Sequence, residues 1–258
     1  NAGRYLHDYF KKFFSVKGLI REDFNAADPD LNFFEKNIKE DDIVINCVGV
    51  LKPKIKHIGI SNTFKINGLF PNLIYDICQR KNAQFFHICS DCVFDGKKGN
   101  YSESDVPNGT DIYARSKAMV RNGNIIRTSF IGRHGGLMEW LLSNEGKTID
   151  GYTNCKWNGV TAHELCHFIH RVIIYKDFWN GARHLYSPKT ISKYTLCKLI
   201  NEEYNLNITI KRKKAKSIEG TKIDNILDRS LTSNQSYINE YRVPEIKKQL
   251  FELHYTDD

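Results

Sequence analysis

Short apolar runs alternate with longer amphipathic segments through the first two thirds of the chain. The apolar runs, which we expect to be strands, are SVKGLI (15–20), DIVINCVGV (42–50), AQFFHICS (83–90) and NIIRTSFIG (124–132). Between them, apolar residues recur at the three-to-four spacing of helices that pack on a sheet, in GRYLHDYFKKFF, DLNFFEKNI and FKINGLFPNLIYDICQR. Parallel strands joined by crossover helices produce this order. The sequence therefore predicts an α/β fold with a doubly wound parallel sheet.

The pattern loosens after Gly132 into a mixed region. Helices are expected at AHELCHFIHRVII and ISKYTLCKLINEEY, and a strand at NITIKRK. No internal repeat or low-complexity linker divides the chain. We expect residues 1–132 to form the sheet domain, of Rossmann type. Residues 133–258 should form mainly a smaller substrate-binding lobe, with some elements returning to the sheet and a ligand cleft between the two parts.

Composition describes an ordinary globular protein, with 41% apolar and 12% aromatic residues in 258. No run approaches the roughly 18 consecutive apolar residues of a membrane helix, and the start, NAGRYLHDYF, lacks the layout of a signal peptide. The seven cysteines are an odd number and scattered, so we expect reduced thiols in a cytoplasmic protein without a membrane partner.

The formal net charge of +8 is compatible with a nucleic-acid partner or with an anionic small substrate such as a nucleotide. Much of the excess lies in TIKRKKAKS (209–217), which is most simply a solvated loop after a strand. We therefore expect no nucleic-acid partner.

Tyr113 and Lys117 lie four residues apart in DIYARSK, so on a helix they share one face. A lysine there can lower the pKa of the tyrosine and anchor a ribose hydroxyl, so that the phenol acts as an acid or base near neutral pH. The preceding strand AQFFHIC ends at Ser90, at the sheet edge where open α/β sheets build their sites. A hydroxyl there can hydrogen-bond a substrate oxygen.

The stretch ICSDCVFDGKKGNYSESDVPNGTDIYARSK (88–117) resembles the extended short-chain dehydrogenases/reductases of the dTDP-4-dehydrorhamnose reductase type. In that family the segment runs approximately I-S-T-D-Y-V-F-D-G, then an acidic-Pro turn, then Y-G-x-x-K. The resemblance covers most of the chain and is thinnest in the C-terminal third. It implies an enzyme that uses NADPH or NADH to reduce a dTDP- or UDP-linked 4-keto-6-deoxysugar in deoxysugar nucleotide biosynthesis. Ser90 would polarise the carbonyl, Tyr113 would give a proton, and Lys117 would hold the nicotinamide ribose.

The resemblance also implies binding residues. For the cofactor they are Gly3, Arg21, Asp23, Phe24, Asn46, Cys47, Val48, Gly49, Asn67, Thr128 and Ser129, besides Tyr113 and Lys117. For the sugar nucleotide they are Asp91, Trp157, Asn158 and Arg229, besides Ser90. No metal is expected, and a homodimer is compatible with the family.

Two alternatives stay open. One is an epimerase or dehydratase of the same extended family, which retains its cofactor. The other is a non-catalytic relative similar to the beta regulatory subunit of methionine adenosyltransferase. Only NAG precedes the first helix, so the first strand and the earlier glycines of a dinucleotide-binding turn are expected to be absent from this sequence. The connections at RNGN and GRHGG are also short for the family.

Cys89 and Cys92 form a C-x-x-C pair, which would be a redox motif if it opened a helix after a strand. Val-Phe-Asp-Gly follows instead, and no second ligand pair accompanies the cysteines as a zinc site would require. We therefore expect neither a redox nor a metal role.

HELCH (163–167) matches the zinc-protease pattern H-E-x-x-H. Helical geometry places Leu165, Phe168, Ile169, Val172 and Ile173 on one face. On the same geometry His163, His167 and His170 form a stripe on the opposite side, which we expect to face solvent. No third zinc-ligand motif follows, so we do not expect a metalloprotease.

Overall fold

Helices and short strands alternate along the chain in a computed structural model that describes residues 2–218 and 221–256. The helices are α1 (Ala2–Phe10), α2 (Leu31–Asn37), α3 (Ile55–Ile58), α4 (Ile60–Phe64), α5 (Phe70–Arg80), α6 (Ile112–Lys117), α7 (Gly136–Leu142), α8 (Ala162–Tyr175), α9 (Lys193–Glu203), α10 (Tyr237–Glu240) and α11 (Ile246–Thr256). The strands are β1 (Ile43–Asn46), β2 (Gln84–Ser90), β3 (Asn124–Thr128), β4 (Phe130–Ile131), β5 (Thr148–Tyr152), β6 (Cys155–Trp157), β7 (Val160–Thr161), β8 (Gly181–His184), β9 (Ile191–Ser192), β10 (Thr209–Lys213), β11 (Ser217–Ile218), β12 (Thr221–Lys222) and β13 (Leu227–Asp228).

The central sheet is parallel and has four strands in the order β1-β2-β3-β8. Its register pairs Ile43 with Gln84 and Ser90 with Thr128, so the carboxyl ends of β2 and β3 lie side by side. β8 comes from the second half of the chain and closes the far edge against β3. The predicted α/β class with a parallel sheet is confirmed.

Alternate side chains of β2 point to opposite faces of the sheet, and helices cover both. Phe86 packs in a core cluster with residues of α1 and α8, whereas Phe85 packs in a second cluster with residues of α2 and α5. A strand buried on both faces is apolar along its whole length, as this one nearly is. The exception inside β2 is His87, which is fully buried.

Several small sheets make up the rest of the fold. β5 pairs with β10 in parallel, β6 lies between β13 and β9, β11 pairs with β12, and β4 pairs with β7. Ile149 of β5 and Leu196 of α9 belong to the same core cluster as Phe86. This lobe therefore packs directly on one face of the central sheet.

Two strand predictions need correction. Residues 15–20 are extended but exposed, and within the described parts of the chain no strand pairs with them, while β1 pairs with β2 alone. An apolar run becomes a strand only where a neighbour takes its backbone hydrogen bonds, and the run itself does not reveal that neighbour. The predicted strand 124–132 is two strands, because after Ser129 the chain leaves β8 and pairs with β7.

Candidate active site

Ser90 ends β2, at the carboxyl edge of the parallel sheet. A 3-10 turn over Asp91–Val93 follows it, and its hydroxyl oxygen accepts the N–H of Cys92 at 3.0 Å. The hydroxyl donates to Asp91 Oδ1 at 3.1 Å. Open α/β sheets bind ligands at this edge. The turn therefore fixes the Ser90 hydroxyl at the edge where such sheets bind ligands.

Helix α6 carries Tyr113 in its first turn, and Asp111 fixes where this helix begins. Asp111 Oδ1 accepts the N–H of Ala114 at 2.8 Å, as expected of an N-cap aspartate. The phenol of Tyr113 is half-buried and hydrogen-bonded to Ser90. Burial raises the pKa of Tyr113 well above its usual value, and the Ser90 hydrogen bond opposes this only in part. Tyr113 therefore keeps its proton at neutral pH.

Lys117 ends α6 and is buried beside β2. Its Nζ donates to the carbonyl of Ile88 at 2.9 Å and lies 3.1 Å from His87 Nε2. Burial lowers the pKa of Lys117. In this arrangement the Lys117 amine is bonded to β2, and burial has the largest effect on the pKa of the Tyr113 phenol.

Just after β1, the backbone of Gly49, which has no side chain, lies next to Lys117. A Cβ at Gly49 would lie 3.9 Å from Lys117 Nζ and 3.4 Å from Asn67 Oδ1. At the start of α1, a Cβ at Gly3 would lie 3.4 Å from that of Cys47, which follows β1 directly. Asn46 to Gly49 thus form a cradle that a larger side chain at Gly49 would fill. The residues present fit the ribose end of a nicotinamide dinucleotide.

Asn67 supports this cradle from a π-helical turn, Lys65–Leu69. Its Oδ1 accepts the N–H of Val50 at 2.6 Å and its Nδ2 donates to the Val50 carbonyl at 3.1 Å. The same Nδ2 lies 3.0 Å from the hydroxyl of Ser116 in α6. Asn67 therefore ties the loop after β1 to the helix that carries Tyr113 and Lys117.

Arg21, Asp23 and Phe24 lie in the exposed region before α2. Asp23 Oδ2 accepts the N–H of Ile20 at 2.7 Å, within its own turn. Phe24 stacks on Phe70 of α5, with ring centroids 5.4 Å apart. These contacts hold the segment locally, and among the residues that the structure describes none of them reaches Ser90, Tyr113 or Lys117.

Thr128 ends β3 directly beside Ser90, and Ser129 follows it. The hydroxyl of Ser129 accepts the indole N–H of Trp157 at 2.9 Å, so Trp157 is packed against the end of the sheet. Asn158 is buried and its amide both donates to the Leu231 carbonyl and accepts the Leu231 N–H. Its hydrogen bonds thus fasten the segment that follows Arg229.

Arg229 reaches the turn after Ser90 from the C-terminal part of the chain. Its Nε donates to the Phe94 carbonyl at 2.9 Å and its Nη1 lies 3.7 Å from Cys92 Sγ. Burial raises the pKa of Asp91, and the positive charge of Arg229 acts against that rise. Arg229 and Asp91 are therefore brought together with Ser90.

Two residues of this site were not predicted, His87 and Lys52. His87 is buried in β2 between Asn46 and Lys117, and a single titratable residue inside the apolar run QFFHIC was the available signal. Lys52 forms an ion pair with Asp111, with 2.8 Å between Nζ and Oδ2. Lys52 and Asp111 are distant in the sequence, so no local sequence pattern predicts their contact.

The C-x-x-C pair does not act as a unit. Cys89 points into the core and its Sγ lies 3.8 Å from the Lys117 carbonyl, whereas Cys92 faces Arg229. The seven cysteines are all free thiols.

The HELCH stripe does not face solvent, contrary to expectation. His163 is buried, and all three histidine rings pack around Tyr9, whose hydroxyl lies 3.0 Å from His170 Nδ1. The reason is that α1 packs on this side of α8. The opposite face is buried as predicted at Leu165, Phe168, Ile169 and Val172. Within residues 2–218 and 221–256, no helix is long and apolar enough to cross a membrane.

A parallel Rossmann-type sheet with Ser90, Tyr113 and Lys117 at its carboxyl edge has the layout of the short-chain dehydrogenases/reductases. A family model, the RmlD substrate binding domain, matches residues 7–147. The chain belongs to this family of dTDP-4-dehydrorhamnose reductase-like, NAD(P)-dependent sugar-nucleotide reductases within the extended short-chain group. The resemblance noted in the sequence is confirmed.

Two curated relatives match part of the chain. A dTDP-4-dehydrorhamnose reductase of Aggregatibacter actinomycetemcomitans is 24% identical over 202 residues, which are 67% of this chain and 69% of the relative. A probable low-salt glycan biosynthesis reductase of Haloferax volcanii is 30% identical over 131 residues, 44% of each chain.

Solved structures match nearly the whole chain. The dTDP-4-dehydrorhamnose reductase of Bacillus anthracis in complex with NADP has a TM-score of 0.83 at 16% identity, covering 99% of this chain and 96% of its own. The enzyme of Yersinia enterocolitica has a TM-score of 0.80 at 19% identity, covering 99% and 95%. At these identities the likeness establishes a shared fold.

Proposed function

We propose that this protein uses NADPH or NADH to reduce a nucleotide-activated 4-keto-6-deoxysugar, dTDP- or UDP-linked, in deoxysugar nucleotide biosynthesis. The observation that carries the proposal is the meeting of Ser90, Tyr113 and Lys117 at one edge of the sheet, in a chain that belongs to a family of sugar-nucleotide reductases. The relatives whose names include dTDP-4-dehydrorhamnose reductase support this substrate class.

A bound reduced nicotinamide supplies the hydride for the keto carbon. Tyr113 gives its phenolic proton to the oxygen of the same carbonyl, so that the ketone becomes an alcohol. The phenol enters this step protonated, because burial raises the pKa of Tyr113. The Ser90 hydroxyl donates to the carbonyl oxygen and orients it. Lys117, with the backbone of Gly49 beside it, holds the ribose.

The C-terminal segments contribute to substrate binding in this proposal. Arg229 is a cation fixed against the turn after Ser90, where it can pair with a diphosphate, and Asp91 beside it can accept sugar hydroxyls. Trp157 is buried and donates its indole N–H to Ser129, and Asn158 holds Leu231 in place, so both support this region from the core. An NADPH-using enzyme would meet the 2′-phosphate of its cofactor with the exposed Arg21 in this proposal.

The test follows loss of nicotinamide absorbance with the full-length protein, each cofactor and a panel of nucleotide 4-keto-6-deoxysugars. We expect turnover with at least one of them and a clear preference for one nucleotide. If none is reduced while NAD stays tightly bound through purification, the protein is an epimerase or dehydratase that retains its cofactor. If neither turnover nor cofactor binding is found, a non-catalytic role replaces this proposal.

A further inference from the structure

His87 links the end of β1 to Lys117 through a continuous chain of hydrogen bonds. Asn46 Nδ2 lies 3.0 Å from His87 Nδ1, and His87 Nε2 lies 3.1 Å from Lys117 Nζ. At the other end, Asn46 Oδ1 accepts the N–H of Val48 at 3.1 Å. The side chains of Asn46, His87 and Lys117 are all buried. The chain is therefore sheltered from exchange of partners with bulk water.

The backbone at Val48 fixes the direction of every hydrogen bond in this chain. A backbone N–H can only donate, so the Asn46 atom that faces it must be the oxygen, and the amide nitrogen must face His87. The amide nitrogen donates to His87 Nδ1, which leaves the imidazole proton on Nε2. That Nε2–H points at Lys117 Nζ, which must accept it. Only a neutral amine has the lone pair to do so.

We propose that the chain from Val48 through Asn46 and His87 holds Lys117 as a neutral amine before the dinucleotide binds, and that binding is accompanied by uptake of one proton at Lys117. His87 is thus a positioning residue that acts through the lysine. The inference rests on the proposed function for the identity of the cofactor.

The charges around Lys117 agree with this assignment. The titratable groups that act on it are Cys47 after β1, and Cys89 and His87 on β2. Burial raises the pKa of Cys47 to about 12, so this thiol is neutral. Burial also lowers the pKa of both Lys117 and His87. Charge on the Cys89 and Cys47 thiols would raise the pKa of Lys117, but burial is the larger effect and lowers it.

An anionic dinucleotide changes this balance, because negative charge favours the protonated amine. The protonated Nζ has no lone pair, so it gives up the hydrogen bond from His87 Nε2. It can keep its bond to the Ile88 carbonyl and has two further N–H donors for the ribose hydroxyls. The proton comes from solvent, and His87 keeps its own proton throughout.

The first test needs no cofactor and no turnover. Nitrogen-15 NMR of the full-length protein reports the tautomer of His87 and the charge of Lys117 Nζ. We expect the Nε2–H tautomer of His87 and a Lys117 amine that titrates well below ordinary lysines. A Nδ1–H tautomer in the wild type, or a Lys117 signal that stays charged as long as surface lysines do, overturns the proposal.

Asn46→Asp reverses the chain, since both carboxylate oxygens accept. His87 should then carry its proton on Nδ1 and accept from a charged Lys117 through Nε2. Asn62→Asp, on the exposed surface of α4, adds the same charge without touching the chain and should leave the His87 tautomer unchanged. An unchanged tautomer in a folded Asn46→Asp protein contradicts the proposal. If that variant does not fold, the tautomer of His87 in the wild type still tests the proposal.

Calorimetry of NADP⁺ binding in buffers of different ionisation enthalpy measures proton uptake directly. We expect about one proton taken up by the wild type and little by Asn46→Asp. Binding without uptake in the wild type refutes the second half of the proposal. Should every ketosugar fail as substrate, the proposed function falls, whereas the tautomer measured on the cofactor-free protein stands independently.

Discussion

Lys52 Nζ lies 2.8 Å from Asp111 Oδ2, and this ion pair joins the loop after β1 to the first turn of α6. The other carboxylate oxygen, Oδ1, accepts the N–H of Ala114. Lys52 Nζ is also 5.9 Å from the centre of the Tyr113 ring. The Asp111 carboxylate therefore caps helix α6, which carries Tyr113, and also ties that helix to the loop after β1.

Substitutions at Asp111 separate these two roles. Asp111→Asn keeps a good capping side chain and loses the charge partner of Lys52, whereas Asp111→Ala loses both. We expect the alanine variant to lose about 1 kcal/mol more unfolding free energy than the asparagine variant, because only it loses the cap. Urea unfolding of both proteins measures this difference. Equal stability of the two variants would show that the cap contributes nothing.

Tyr113→Phe removes the proposed proton donor and leaves the ring that packs in the site. We expect turnover to fall by about 10²–10⁴-fold, the usual contribution of a positioned acid, with binding of NADPH unchanged. Steady-state rates and a fluorescence titration of the cofactor measure the two quantities. Near-wild-type turnover would remove Tyr113 from the mechanism.

The hydroxyl at Ser90 should matter far more than the thiols beside it. Ser90→Ala loses the donor to the substrate carbonyl and the cap of the 3-10 turn, so kcat should fall strongly. Cys89→Ala and Cys92→Ala are the matched controls, since Cys89 lies next to Ser90 in β2 and Cys92 lies in the turn that follows. The reverse ranking of these variants in kcat would contradict the assignment.

The sheet and the site could be predicted from sequence to different extents. The central strands β2 and β3 are predictable because their buried centres are apolar, with Phe85 and Phe86 in β2 and Ile125 and Ile126 in β3. The run at 15–20 is equally apolar in its pattern, yet a strand exists only through its neighbour. Pairing between strands that are distant in the sequence cannot be predicted from a short stretch of sequence.

The same limit holds for individual side chains. The positions of Ser90 and Tyr113 are predictable because Ser90 ends a strand and Tyr113 lies on a helix, and the sequence predicts both elements. The direction in which the Lys117 side chain points could not be predicted. It depends on contacts with His87 and the Ile88 carbonyl, which lie on a strand about thirty residues earlier in the sequence. The prediction that the histidine stripe of α8 faces solvent is wrong for a related reason. Helical periodicity separates the two faces of α8, but it does not show that α1 covers the histidine face.

Asn67 tests how far the cradle depends on one buried amide. Asn67→Leu has a similar volume but leaves both the N–H and the carbonyl of Val50 without their partner. Each unpaired buried group costs about 1–3 kcal/mol, so we expect a loss of about 2–5 kcal/mol of unfolding free energy. Asn62→Leu on exposed α4 is the control and should change stability little. Chemical denaturation of both variants measures these losses of unfolding free energy. Equal losses in the two variants would show that the Asn67 amide does not hold the cradle.

Glu164 inside HELCH should make stability depend on pH. It is buried in α8, and burial raises its pKa from 4.5 to about 7, although the hydroxyl of Tyr241 donates to its Oε1 at 2.7 Å. Between these two pH values the folded protein binds more protons than the unfolded chain, so this contribution to stability is complete below about 4.5 and is lost as pH rises through 7. Glu164→Gln cannot ionise and keeps an acceptor for Tyr241.

The variant and the wild type should therefore differ little near pH 4.5, whereas at pH 8 the variant should be more stable by about 1–3 kcal/mol. Tyr241→Phe provides the opposite perturbation, because it removes the hydrogen bond that favours the carboxylate and should steepen the loss of stability with pH. Urea unfolding of the three proteins across this pH range gives the slopes. Parallel curves for wild type and Glu164→Gln would mean that Glu164 reaches water in the folded protein and titrates as an ordinary carboxylate.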